Sequence, residues 1–212
     1  MRKSEWLLVA VGILAFATGA FMEPHLPAMV ASHWDAAGQV NGYLSRAWGA
    51  FTFPAIIVFV IALFLAVPRM DPKRNNIAKF RDYFDCLTIT LAVVLYYFYA
   101  LTLLWNLGYP IDMMRWFIPA FALLFYVIGI VLPHTTLNFT IGIRTPWTIL
   151  SETVWRKTHA AGGIAFKISA VITLAGVLWP SLALWFLLVP IIASAVGLFV
   201  YSYVLYEGEK KS

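Results

Sequence analysis

The chain has 212 residues, 62% of them hydrophobic and only 12% charged, with a formal net charge of +5. Soluble domains carry about twice that share of charged residues, so the composition excludes an ordinary soluble domain and points to a membrane protein. The basic excess would suggest nucleic acid in a soluble chain. Here the basic residues fall in short segments between apolar runs, which argues for a membrane face and against direct nucleic-acid binding.

Hydrocarbon offers the backbone no hydrogen-bond partner, so spanning segments are helices of roughly 17–25 mostly apolar residues. Six runs meet that condition, at residues 6–22, 47–67, 86–105, 116–132, 164–179 and 182–206. Breaks fall at Pro24, Pro68, Pro110, Pro133 and Pro180. The fifth run is the shortest and carries Lys167 in its first turn, from which the ammonium can snorkel; the sixth is long enough to tilt, with Pro190 as a kink.

Arg2, Lys3, Arg69, Lys73, Arg74, Lys79, Arg81, Arg144, Arg156, Lys157, Lys210 and Lys211 fall on one side of these spans, and Arg46 and Arg115 on the other. Twelve against two places both termini in the cytoplasm of a multi-pass cell-membrane protein. Arg2, Lys3, the following apolar run and "ATGA" at 17–20 also have the form of a secretory signal peptide. Glu5 in the charged flank and the length of the apolar run favour an uncleaved first helix. The lone cysteine, Cys86, excludes an internal disulfide framework.

The expected fold class is therefore an all-α integral membrane protein, a six-helix transmembrane bundle with a structured external loop and a cytoplasmic interfacial helix. Residues 1–67 form an N-terminal helix hairpin with a long external loop, and residues 68–212 a four-helix region with a cytoplasmic loop at 134–163.

The external loop, "EPHLPAMVASHWDAAGQVNGYLSR", is long for a connection, and loops of that length are usually functional or structured. Pro24 and Pro27 force an extended exit from the first helix, while "DAAG" and "NG" are turn signals on either side of Gln39 and Val40. They predict a small hairpin or an Ω-like cap over the helix ends. Glu23, His25, His33 and Asp35 are metal-ligand types, but no metal-site spacing relates them, so scattered polar loop residues are the preferred reading and no metal or cofactor is expected.

The cytoplasmic loop contains "TTLNFTIGIRT", rich in β-branched residues and interrupted by Gly142, which suits an extended or turned segment. Pro146 biases Thr145 away from the helical region. Ser151 can cap a short helix with Glu152 in its first turn, running to His159 and broken or hinged at Gly162 and Gly163. On it Glu152, Trp155 and His159 share a face, and Glu152 and Arg156 are spaced as an ion pair. Trp147, Trp155, Arg156 and Lys157 suit an amphipathic helix lying on the inner leaflet. The alternative is that Arg144, Glu152 and His159 converge as a polar cluster capping the bundle.

The stretch "GIRTPWTILSETVWRKTHAAGG" resembles the signature of the SdpI family of bacterial immunity proteins, and "LPAMVASHWDAAGQVNGYLSR" resembles the domain of unknown function that commonly precedes it. The matching positions are Gly142, Arg144, Thr145, Pro146, Trp147, Ser151, Trp155, His159 and Gly163, with Pro27, His33, Trp34, Gly38 and Gly42 in the external loop. The segment "HWDAAGQVNG" departs modestly from the Asn- or Asp-rich form of relatives, which bears on the peptide recognised more than on membership. The resemblance implies an SdpI-like region in the C-terminal part and a polytopic protein that protects its cell from a secreted toxin peptide. It also implies recruitment of a cytoplasmic repressor protein to the membrane.

The residues expected to matter are then Arg144, Thr145, Pro146, Trp147, Ser151, Glu152, Trp155, His159, Gly162 and Gly163, with His33, Trp34, Asp35, Gly38, Asn41 and Gly42 outside. Gly162 and Gly163 are the candidate hinge of a signalling element. Partners are the lipid bilayer, a secreted peptide and a repressor. A transporter or channel is the runner-up, disfavoured because Asp85 and Lys167 lie at the edges of their spans. A membrane enzyme using Glu152 and His159 is third, since no HExxH, GxSxG or phosphate-binding glycine loop is present; no catalysis is expected.

Overall fold

A computed structural model of the chain describes residues 2–211. In chain order the elements are α1 (Lys3–Met22), β1 (Met29–Trp34), β2 (Val40–Ser45), α2 (Arg46–Met70), α3 (Arg74–Lys79), α4 (Arg81–Asn106), α5 (Met113–Val131), α6 (Pro146–Leu150), α7 (Glu152–Ala175) and α8 (Ala183–Glu209). Among the described residues six helices are long and apolar enough to cross a membrane and one small antiparallel sheet is present, so the chain is an all-α, multi-pass bundle.

The buried positions of α1, Glu5, Leu8, Gly12, Ala15 and Gly19, recur every three or four residues and line one stripe. Between helices in lipid no hydrophobic drive operates, and close fit around small residues takes its place. That stripe packs on α2 and α4; α4 also packs on α5, α5 on α7, and α7 on α8. Ala15, Ile57, Ile61 and Ala92 fill the middle of the first group, and Val30, Ala50, Tyr99 and Leu103 close it beneath the hairpin. At the opposite end, which carries both termini, Ile77, Phe80 and Phe84 form a third cluster.

The predicted spans are present, but several run past their apolar stretches into polar sequence. Helix α4 starts at Arg81 rather than Cys86 because the first turn carries ions that are paired. Arg81 Nε lies 2.7 Å from Asp85 Oδ1, and its Nη2 lies 3.2 Å from Glu5 Oε1. Arg2 Nε reaches Asp85 Oδ2 at 2.8 Å, and Ser4 Oγ donates to the same oxygen at 2.7 Å. Glu5 and Asp85 are 5% and 7% exposed, so α1 and α4 are clasped through two buried carboxylates that the half-exposed Arg2 reaches from the rim.

The largest departure concerns the fifth span. The helix expected to begin at Ile164 begins at Glu152 and continues without a break to Ala175. No separate interfacial helix exists at 151–159, and Lys167 lies four turns into α7 instead of in its first turn.

Candidate functional site at the 135–163 loop

The chain leaves α5 through a tight turn in which Thr135 Oγ1 donates to Leu132 O at 2.8 Å. Past that turn it runs as an irregular loop whose backbone polar groups must find partners. Asn138, fully buried, supplies four of them: Nδ2 donates to the carbonyls of Thr136 (2.8 Å) and Ile141 (2.9 Å), and Oδ1 accepts from the amides of Thr140 (2.9 Å) and Ile141 (2.7 Å). A carboxamide presents two donors and an acceptor with two lone pairs, so this residue type alone can serve the whole turn.

The loop is then tied to the segment after α2. Asp71 Oδ2 accepts from Phe139 N at 3.0 Å and from Thr140 Oγ1 at 2.5 Å, while its Oδ1 accepts from Lys73 N at 2.6 Å. Asn76 Nδ2 donates to Leu137 O at 2.7 Å, and Thr136 Oγ1 donates to Asn76 O at 2.9 Å. Sequence reasoning misses Asp71, Asn76 and Asn138. A local signal exists for Asn138, which stands two and three residues before the amides it binds, as Asn does in turns. Asp71 carries a similar turn signal in its bond from Lys73 N, but nothing local marks the ties of Asp71 and Asn76 to the loop, whose partners lie sixty or more residues away.

The second half of the loop is locked onto α7. Gly142 adopts φ +128°, a conformation reserved for glycine, and it has to be glycine for space as well. A Cβ there would collide with His159 Nε2 and sit 3.0 Å from the Trp155 ring. This turn aims the Ile143 amide at His159 Nε2, which accepts at 2.9 Å. With that nitrogen an acceptor, Nδ1 carries the proton and donates to Trp155 O at 2.7 Å. The imidazole stacks on Trp155 with centroids 4.0 Å apart, and Trp155 Nε1 donates to Thr135 O at 3.0 Å.

Trp155 and His159 are 2% and 1% exposed. The reading of this segment as an amphipathic surface helix is therefore overturned, because distant loop amides and carbonyls supply the partners that let both polar rings be buried. Arg144, Glu152 and His159 do not converge either: Arg144 is exposed and donates to Phe139 O, Glu152 faces outward, and His159 lies inside. Glu152 and Arg156 form no ion pair despite their spacing.

Between these anchors Thr145 and Thr148 make a reciprocal cap on α6. Thr145 Oγ1 accepts from Thr148 N at 3.2 Å, and Thr148 Oγ1 accepts from Thr145 N at 2.9 Å. Pro146 occupies the first helical turn, where its missing N–H costs nothing. Thr145 also bonds Ser202 of α8 at 2.9 Å, and Trp147 lies 5.0 Å from both Phe199 and Tyr203, so α6 is pinned to the last span. Ser151 caps α7 as expected, accepting from Val154 N at 3.2 Å, and donates to Glu209 at 2.7 Å.

Gly162 and Gly163 are packing sites in a continuous helix, not a break. A Cβ on Gly162 would stand 2.5 Å from Ile143 Cδ1, and one on Gly163 would run into the Pro133 ring. Glycine destabilises a helix by about 1 kcal/mol relative to alanine, a cost that close helix approach offsets here. The chemistry of the cluster is thus mechanical. Both nitrogens of His159 are committed to backbone groups, leaving no free lone pair for proton transfer.

At the other end the expected cap is a hairpin. Asp35 Oδ1 accepts from Ala37 N and Gln39 N, both at 2.9 Å, and Gly38 takes φ +76°. The "NG" pair is not a second turn but lies inside β2, with Gly42 opposite His33 across a register shift. His33 Nδ1 bonds Asn41 Oδ1, and Trp34 meets Trp105 edge-on at 5.5 Å. Asn106 of α4 closes the outer edge of β1: its Oδ1 accepts from Ala31 N at 2.7 Å and its Nδ2 donates to Ala31 O at 3.0 Å. Among the described residues no three His, Cys, Asp or Glu side chains group as a metal site.

Comparison with known proteins matches both regions. Residues 10–58 match the Domain of unknown function (DUF1648), and residues 135–203 match the SdpI/YfhL protein family. The chain is 22% identical over 154 residues to the immunity protein SdpI of Bacillus subtilis (strain 168), spanning 73% of this chain and 72% of that protein. No solved structure matches. The matched region begins at Thr135, whose carbonyl receives the Trp155 indole, and takes in the whole lock, α7 and most of α8; over that region the chain is similar to the SdpI/YfhL protein family, with the DUF1648 match ahead of it.

Proposed function

We propose that the protein is a membrane immunity protein that protects its cell from a secreted antimicrobial peptide. The observation that carries this reading is the similarity to the immunity protein SdpI over nearly three quarters of each chain. The peptide arrives at the hairpin end, and the 135–163 loop faces the cytoplasm, in keeping with twelve basic residues on the termini side against two on the other. The loop also serves as the docking face for a cytoplasmic repressor, which the peptide-engaged protein holds at the membrane.

Such signalling needs an element with two arrangements. Because α7 is continuous at Gly162 and Gly163, the element we assign is the loop itself, which can leave α7 by breaking the Ile143–His159 and Thr135–Trp155 bonds. The test is survival of a sensitive bacterial host carrying this chain when it is challenged with secreted killing peptides. Protection by the native chain, lost in a Gly142→Val variant that still reaches the membrane, supports the reading. No protection against any such peptide, with no regulator co-purifying, refutes it.

A further inference from the structure

A cleft of about 270 Å³ opens at the termini end where three separate segments meet: α3 with Asn76 and Lys79, the Pro133–Leu137 turn, and the first turns of α7 with Glu152 and Arg156. Its floor is rigid, because Asn76, Thr136, Thr135 and Trp155 are cross-linked by hydrogen bonds across the loop. Its rim is charged and unneutralised. Among the described residues neither Lys79 nor Arg156 has an ion-pair partner, and neither does Glu152. Opposite charges thus face one cleft without meeting across it.

The depth of the cleft sets what can reach it. Helix α7 spans 24 residues, a rise of about 36 Å, against a hydrocarbon core of about 30 Å. The surplus of about 6 Å is one helical turn, and the end that carries the exposed Glu152, Arg156 and Lys157 is the one that stands in the headgroup layer. We propose that this cleft binds the headgroup of an aminophospholipid, a phosphate joined to a primary ammonium. The phosphate accepts charge-assisted hydrogen bonds from Lys79 and Arg156, and the ammonium donates to the Glu152 carboxylate. A quaternary ammonium has no N–H to donate, and a glycerol headgroup has no cation, so phosphatidylcholine and phosphatidylglycerol each satisfy half of the site. Bound lipid joins α3 to α7 and so braces the two ends of the family loop. The site stands whether or not the immunity reading does.

The test uses the full chain, delipidated in neutral detergent, with lipid binding measured by native mass spectrometry. Phosphatidylethanolamine, phosphatidylcholine and phosphatidylglycerol of identical acyl chains are compared. Phosphatidylethanolamine is expected to bind about tenfold tighter than either competitor, the difference one charge-assisted bond makes. Lys79→Ala/Arg156→Ala is expected to lower that affinity tenfold or more, and Glu152→Gln to abolish the preference over phosphatidylglycerol while leaving phosphatidylglycerol binding intact. These positions are exposed, so the variants should keep the native unfolding midpoint, and Lys210→Ala/Lys211→Ala should bind as the native chain does. Equal binding of the three lipids, tighter binding of phosphatidylglycerol, or undiminished phosphatidylethanolamine binding in the double variant would overturn the proposal.

Discussion

Replacing Gly142 by alanine tests the lock directly. The methyl group meets two obstacles: the backbone at φ +128° is strained for any L side chain, and the space is taken by His159 Nε2 and the Trp155 ring. Strain of this kind costs about 1–3 kcal/mol. Moving His159 away also breaks its bond from the part-buried Ile143 amide, which adds about 1–3 kcal/mol, so the variant should lose about 2–6 kcal/mol. Gly108→Ala separates the two contributions, because Gly108 also has a positive φ, +88°, but nothing within 4 Å of a Cβ. It should lose the strain alone, about 1–3 kcal/mol. Reversible unfolding in mixed micelles, followed by tryptophan fluorescence, gives both values. Limited trypsin cleavage after the exposed Arg144 reports whether the loop has come off α7. If Gly142→Ala costs no more than Gly108→Ala and trypsin attacks it no faster, the lock does not hold the loop.

His159→Phe keeps the stack on Trp155 but strands the Ile143 amide, and should cost about 1–3 kcal/mol; exchange of the Ile143 amide hydrogen should speed up while that of the α7 core does not. Asn106→Leu removes both bonds to Ala31 and should raise hydrogen exchange across β1 without shifting global unfolding by more than about 1–2 kcal/mol, since the hairpin is peripheral. Asp85→Leu leaves Arg81 and Arg2 short of their shared anion and should cost about 3 kcal/mol, the low end for a broken buried pair because Arg2 is half-exposed. The loss should appear in the unfolding free energy and persist at high salt.

The local rules and the long-range ones divide cleanly along this chain. Where a residue's partner is its own neighbour, as with Ser151 capping α7 through Val154 N or Asp35 turning the hairpin, residue type and spacing predict the arrangement. The glycine pair misleads because glycine after a polar helix reads as a stop when its surroundings are unknown. Pro133 and Ile143 pressed against that pair give it the opposite meaning.

From the sequence alone, then, the six spans, a cap between the first two and the resemblance to the SdpI family were legible. Apolar length, turn chemistry and motif order are all written along the chain, and the bilayer leaves the backbone little other choice. Only the tertiary structure decided that residues 152–163 are the beginning of the fifth span, with Trp155 and His159 buried, and not a separate helix on the membrane surface. The physical reason is that burying Trp155 and His159 requires a carbonyl from Thr135 and an amide from Ile143, and these arrive only when a loop anchored on Asp71 and Asn76 folds back across α7.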